Sequence, residues 1–226
     1  MRIEFLLLAC SSKKGGRCVA GIDVTNKRLI RLVSRDASSN GAIRKDFCKI
    51  DGSWVELLEV VEVELGEKAP AKGAQTENYY VDMPFFIRRI RKGTVDEAKK
   101  YMQKGRWGFF PFQTKLPYMY DKAYADTPYS LALIKAYSIQ SYQPDPEKYP
   151  EKWKVRFKVY SFKGEVTELS DYSCTIPNEE YYKTSFRIGK ALMLVSLPGD
   201  RDGFDYYHKF IAGIIPTEDS KTSAGN

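Results

Sequence analysis

The sequence has a single histidine, His208, and no C-x-x-C pair among its four cysteines, Cys10, Cys18, Cys48 and Cys174. A structural zinc needs about four closely spaced nitrogen or sulfur ligands, so no metal site is expected, nor any mechanism that needs two histidines. Thiols scattered this way fit reduced, buried side chains in a cytosolic protein. No run of about 18 apolar residues occurs, which excludes a membrane-spanning helix. The start, Met1 to Cys10, has an apolar core of about five residues, short of the roughly 7–15 that a signal peptide needs, and a basic loop follows it. It reads as a first buried strand in the cytoplasm. There is no G-x-x-x-x-G-K-[ST] phosphate loop, so hydrolysis of nucleoside triphosphates is not indicated.

What is present is basic and aromatic. The 226 residues are 43% hydrophobic and 29% charged, enough for a packed interior in a soluble chain of one large or two small domains. The net charge of +7 favours polyanionic partners, nucleic acid before an acidic membrane surface. Aromatics make up 14%, with 16 tyrosines, and rings that stack on bases suit the first of these partners, although most will be core.

The stretch from Ser11 to Arg17 joins two apolar runs through two glycines and three cations. Glycine lets backbone N–H groups converge, and convergent N–H groups beside Lys and Arg suit an anion. Ser12, Lys13, Lys14, Gly15 and Arg17 are therefore candidate phosphate contacts. The competing reading is a solvated hairpin loop with incidental charge.

Strands are expected at Phe5–Ala9, Arg17–Val24 and Arg28–Ser34, with Asn26-Lys27 as the turn between the last two. Trp54–Leu65 reads as one long strand and Phe85–Ile90 as a short one. Thr94 and Glu97 form a capping box, so a helix is expected over 94–104, stopped by Gly105. Residues 106–129 read as irregular. A second set of strands follows: Leu131–Tyr142, Trp153–Val159, Glu165–Leu169 after a Lys163-Gly164 turn, Ala191–Leu197 and Tyr206–Ile215. Glu179–Phe186 reads as a short helix and 217–226 as a disordered tail. The fold class is mainly β with one or two short helices. Counting strands gives two five-stranded barrels packed together, 1–112 and 113–216.

Four stretches carry a family resemblance: Gly15 to Gly21, Ile30 to Ser34, Gln75 to Asp82, and Leu194–Leu197 together with Tyr207–Ala212. In this order and over about residues 3–215, the chain resembles the dual OB-containing domain family of mostly prokaryotic proteins. Leu32 departs from the pattern, which commonly has proline after Arg31. The resemblance implies two OB-like barrels and a nucleic-acid or nucleotide-binding role, with a suggested place in prokaryotic defence, and it implies no established reaction.

Further candidates join the loop. Arg31 and Ser34 end an adjacent strand, where Arg31 is either a ligand contact or a buried partner of Glu77. Gln75, Asn78 and Tyr79 offer amides for base edges and a ring for stacking, or a strap held by Asn78. Lys152, Lys154, Arg156 and Lys158 share one face of a strand, as a phosphate-backbone contact or as lysine protection of an edge. Lys209 enters from the last family stretch. The Asp200–Asp205 segment lacks the later glutamate of a calcium loop and reads as a plain turn. Ser11 and Lys14 have Ser-x-x-Lys spacing without the helix that motif needs, and His208 reads as a core side chain. No catalytic constellation and no cofactor are expected. The function read from the chain is binding of nucleic acid, single-stranded ahead of duplex. The alternatives are a nucleotide or small phosphorylated-ligand sensor, an enzyme acting on nucleotides, or a protein-interaction module.

Overall fold

Phe5-Leu6-Leu7-Leu8-Ala9 is apolar at every position, the pattern of a strand buried on both faces. The computed structural model describes residues 1–13, 16–82, 84–102, 116–148, 150, 153–160, 166–168, 172–174, 185–200, 204–217 and 223–224. In it the apolar run lies within β1 (Arg2–Lys13), followed by β2 (Gly16–Asp23) and β3 (Arg28–Ser34). A small ribbon of β4 (Lys49–Ile50) and β5 (Ser53–Trp54) precedes β6 (Glu59–Glu64), β7 (Asn78–Val81) and β8 (Phe86–Lys92). Next come α1 (Val95–Lys99), β9 (Tyr118–Met119) and α2 (Asp121–Ala125). The remaining strands are β10 (Leu131–Tyr142), β11 (Lys154–Tyr160), β12 (Val166–Glu168), β13 (Tyr172–Cys174), β14 (Phe186–Ser196), β15 (Tyr207–His208), β16 (Phe210–Pro216) and β17 (Ser223–Ala224).

Two barrels of the same strand order result. In the first, β1 pairs antiparallel with β2 and β6, β2 with β3, and β3 runs parallel to β7. The chain leaving β6 closes the circle: Gly66 N donates to Tyr80 O at 2.8 Å, Tyr80 N to Glu67 O at 3.0 Å and Ala69 N to Asn78 O at 3.0 Å. In the second, β10 pairs with β11 and β14, β11 with β13, β14 with β16, and β13 runs parallel to β16. In both, the neighbours run first, second, third, fifth, fourth and back to first. The mainly β, two-barrel architecture that strand counting suggests is therefore present.

Alternation along the strands sorts side chains into three cores. Phe5 and Leu7 join Val19, Ile30 and Leu32 inside the first barrel. Ala132, Ile134, Phe157, Met193 and Val195 fill the second. Between the barrels, Leu6 and Leu8 of β1 meet Leu131, Leu133, Leu192, Leu194, Ala212 and Ile215. The strands cross closely there, with Gly213 of β16 lying against the Leu8 carbonyl. A carbonyl in that position leaves no room for a side chain.

Several elements differ from the sequence reading. Trp54–Leu65 is two strands, because Leu58 takes a left-handed conformation (φ 67°) and the chain turns before β6. Residues 78–81, for which no strand is expected from the sequence, form one because β3 offers a parallel partner. The capping box forms with both hydrogen bonds, but α1 is short. Tyr101 N and Met102 N bond three residues back, to Ala98 O and Lys99 O, tightening its end. Phe186 opens β14 instead of closing a helix; 179–184, Gly105 and the Lys163-Gly164 turn lie outside the described residues. Within 217–226, Thr217 N donates to Lys190 O at 3.1 Å and Ser223–Ala224 pairs with Phe186–Arg187. Among the described residues, no helix is long and apolar enough to cross a membrane.

Candidate functional site

The seam between the barrels opens into a cleft of about 500 Å³. Its floor is the outer face of β3, the third strand of the first barrel, with Cys18 of β2 and the end of β1 from Ser11 to Lys13. Its far wall belongs to the second barrel: Ser196 to Asp200, Phe210 and Ala212. Alternation decides which side chains reach it. On β3, Ile30 and Leu32 point into the first barrel, so Arg31 and Val33 face the cleft. On β7, Asn78 and Tyr80 line the cleft while Tyr79 packs against the first core.

Arg31 is 3% exposed. Its Nη1 donates to Asn78 Oδ1 at 2.9 Å and its Nη2 to Ser196 Oγ at 3.0 Å, across the seam. Glu77 Oε1 lies 3.9 Å from Nη1. Arg31 is therefore both a cleft residue and a buried neighbour of Glu77, and the two sequence readings coincide. Among the described residues, the buried Nε–H of Arg31 has no hydrogen-bond partner, and neither does the buried Ser11 Oγ, also on the cleft lining. Unmet buried donors each cost about 1–3 kcal/mol, which a ligand acceptor can recover.

The 75–78 segment straps the barrels together. Gln75 Nε2 donates to Leu197 O at 3.0 Å, Thr76 Oγ1 to Pro128 O at 2.8 Å, and Glu77 Oε1 accepts from Ser130 N at 3.0 Å. Asn78 Nδ2 completes the chain by donating to Gln75 Oε1 at 3.1 Å. Tyr124 OH fixes the opposite wall by donating to Pro198 O at 2.8 Å, and its ring stacks on Tyr207 at 3.4 Å.

Cations outnumber carboxylates on the lining, with Lys13, Arg31, Arg35 and Lys72 against Asp36 and Asp200. Lys13 Nζ donates to Asn40 O at 2.6 Å, Lys72 pairs with Asp200, and Arg35 pairs with Glu67 at 2.9 Å while lying 4.4 Å over the Tyr80 ring. Hydrogen bonds from Ser38 hold the Asp36 carboxyl below its usual range. The exposed rim pairs are individually weak and can be exchanged for an anionic ligand.

Of the residues singled out from sequence, Ser12, Lys13, Arg31, Ser34, Gln75 and Asn78 line this one cleft. Lys14, Gly15 and Lys152 lie outside the described residues. Arg17 does not line the cleft. It shares the inward side of β2 with Val19, stacks 5.0 Å over Trp54 and donates from Nη1 to Ser12 Oγ at 3.1 Å, supporting the cleft wall from behind. Tyr79 likewise faces away, with the Arg28 guanidinium 4.6 Å above its ring, and Tyr80 takes the place expected for it. Lys154, Arg156 and Lys158 stand opposite the buried Val155, Phe157 and Val159 on β11, the second strand of the second barrel, apart from the cleft. Arg156 lies 5.1 Å over Tyr142.

Sequence reasoning missed Arg35, Lys72, Tyr80 and Phe210, and it placed Ser11 in the candidate loop without making it a contact. Ser11 and Tyr80 were available through alternation from Lys13 and Asn78. Lys72 and Phe210 are brought to the cleft only by the seam. Cys10 and Cys48 are buried free thiols in the first barrel; contact with Cys10 and burial push the Cys48 thiol up.

Lys209 is fully buried and off the cleft lining, so it is not placed to meet a phosphate there. Desolvation lowers its pKa from 10.5 to about 7. The unfolded chain keeps this proton up to about pH 10.5 and the folded chain releases it near 7, so stability rises with pH across that window. The melting temperature of the wild type minus that of Lys209→Met is therefore expected to increase from pH 7 to 10. A difference that stays flat with pH would mean the ammonium is not desolvated.

Comparison with known proteins agrees with the barrel pairings. No curated protein matches the chain in sequence. Among solved structures, a murine DNA-binding protein bound with double-stranded DNA aligns over 100% of this chain and 98% of its own, at 9% identity and a TM-score of 0.31, too distant to carry an argument. The model of the dual OB-containing domain matches residues 3–214. With two barrels of one strand order under a match of that length, the chain belongs to the dual OB-containing domain family.

Proposed function

We propose that the protein binds nucleic acid, single-stranded ahead of duplex, with backbone phosphate held in the cleft by Arg31, Lys13 and Ser12 and with the amides of Gln75 and Asn78 within reach of a base. The observation that carries this reading is the buried guanidinium of Arg31, with an unmet Nε–H, on the floor of a net cationic cleft. That floor includes the outer face of strand three and Cys18 of strand two, part of the face on which OB barrels take oligonucleotides, and the connection between strands four and five of the partner barrel walls it. The cationic face of β11 occupies the equivalent strand of the second barrel. It supplies Lys154, Arg156 and Lys158 as further backbone contacts that carry no sequence information. Such a protein would serve a prokaryotic nucleic-acid-processing or defence system in the cytoplasm.

One observation favours a second reading. A volume of about 500 Å³ lies in the range of small-ligand pockets, so a free nucleotide would also fit.

Titration of labelled single-stranded DNA, single-stranded RNA and duplex DNA separates the readings. Five cationic contacts, from Lys13, Arg31, Lys154, Arg156 and Lys158, predict that single-strand affinity falls on the order of a hundredfold between about 50 and about 200 mM salt. Absence of binding to every polynucleotide at the lower salt, together with a melting temperature raised by a mononucleotide, would favour the sensor.

A further inference from the structure

We infer that the cleft continues into an aromatic ladder on the second barrel, on which the unpaired bases of a nucleic-acid strand stack. The inference rests on the nucleic-acid reading above and names the part of the strand that leaves the cleft. The ladder is written in the sequence as Phe204-Asp205-Tyr206-Tyr207-His208-Lys209-Phe210, aromatic at every second position. In an extended segment such residues share a face. The intervening Tyr207 and Lys209 face the other way, Tyr207 onto the second core and Lys209 into full burial.

The outward rings form a connected series. It begins at Phe210 in the cleft wall, which lies 6.1 Å from His208. His208 meets Phe204 and Tyr206 edge-on at 4.8 and 4.9 Å. Phe204 and Tyr206 lie nearly parallel at 5.7 Å, and Tyr206 reaches across to Tyr118 at 4.6 Å. Tyr118 then meets Tyr120 at 5.4 Å. Pairing of β15 with β9 brings the two segments together.

The outer end of this series is wet. Phe204 is 49% and Tyr120 55% exposed, whereas Tyr124 and Tyr207 stack flat against each other beneath. Core packing thus accounts for the inward rings and not for the outward ones. Tyr118, Tyr206, His208 and Phe210 are half-buried, so the series forms a run of touching, partly exposed rings, and apolar surface left open to water in this way marks a binding surface. Beside a cationic cleft, the occupant whose chemistry matches both is a strand that gives its phosphates to the cations and its bases to the rings. Stacking accepts any base, so the ladder adds affinity without sequence preference. It also selects against duplex, whose bases are already stacked on one another.

The test uses the full chain with Phe204→Ala, Tyr120→Ala and the double variant, all at exposed positions. Probes are an oligothymidylate of about 15 nucleotides and an abasic strand of equal length. Loss of about tenfold in oligothymidylate affinity per ring removed is expected, with abasic binding unchanged and melting temperatures at the wild-type value. A Phe204→Trp reporter is expected to be quenched by the oligothymidylate and not by the abasic strand, a readout that does not depend on the alanine variants folding. If the wild type binds both strands equally, or the tryptophan is not quenched on binding, the ladder is wrong and the nucleic-acid reading survives. A patch that leaves all affinities unchanged on mutation belongs to a protein partner. If the wild type binds neither strand, both inferences fall.

Discussion

Arg31→Met is expected to lower the melting temperature by about 10 °C and to abolish ligand binding in the cleft. The guanidinium makes two charged hydrogen bonds, to Asn78 Oδ1 and across the seam to Ser196 Oγ, and lies 3.9 Å from Glu77 Oε1. Removing one member of a buried charged cluster costs about 3–5 kcal/mol, because the remaining groups stay buried without their partner. In a chain of this size each kcal/mol moves the melting temperature by about 2–4 °C. Arg31→Lys keeps the charge but cannot span Asn78 and Ser196 with one ammonium, so it should recover part of the stability and little of the affinity. Calorimetry measures the first effect and oligonucleotide titration, well below the variant's melting point, the second. A methionine variant melting within about 2 °C of the wild type would show that the seam does not depend on Arg31. A folded variant that binds as well as the wild type would remove Arg31 from the ligand site.

Gly213→Ala is the second large effect, and it acts on the shared core. A Cβ on Gly213 overlaps the Leu8 carbonyl oxygen and comes within 3.4 Å of Ala9 Cβ, both backbone-anchored neighbours that cannot swing aside. The two barrels must part to admit it. Overpacking costs about 1–3 kcal/mol and more where backbone is displaced, so a fall of about 5–10 °C is expected. Gly52→Ala is the control: nothing lies within 4 Å of its Cβ, and its positive φ of 77° alone costs about 1 kcal/mol. If the alanine at 213 proves no worse than the alanine at 52, the close strand crossing is not what joins the barrels.

Much of this architecture was legible in the sequence. Arg28–Ser34 forms a strand with the bounds read from its residues, and the Thr94/Glu97 box forms with both its bonds, because each is decided locally. The cleft was half legible. Ser12, Lys13, Arg31, Ser34, Gln75 and Asn78 come from three separate stretches that share only polarity and family pattern, yet they line one hollow. Arg17 and Tyr79 went astray through side rather than identity: each sits one residue from a cleft-lining neighbour, and in a strand one residue reverses the face. Lys209 went astray because a cation beside a strand reads as surface, while in the fold it is fully buried and its backbone N–H donates to Pro117 O, distant in sequence. Lys72 had no local signal and Phe210 only its place in a family stretch and an aromatic alternation; the seam alone carries both to the cleft.

The alternation of β1, with Phe5 and Leu7 turned to one interior and Leu6 and Leu8 to another, makes the two halves poor candidates for separate lives. Either half expressed by itself would carry a broad oily flank where its twin belongs, and such flanks glue molecules together. Cutting the chain between them would therefore yield clumps rather than a smaller working module. By the same logic, altered residues along that hidden flank in one half demand matching changes in the other.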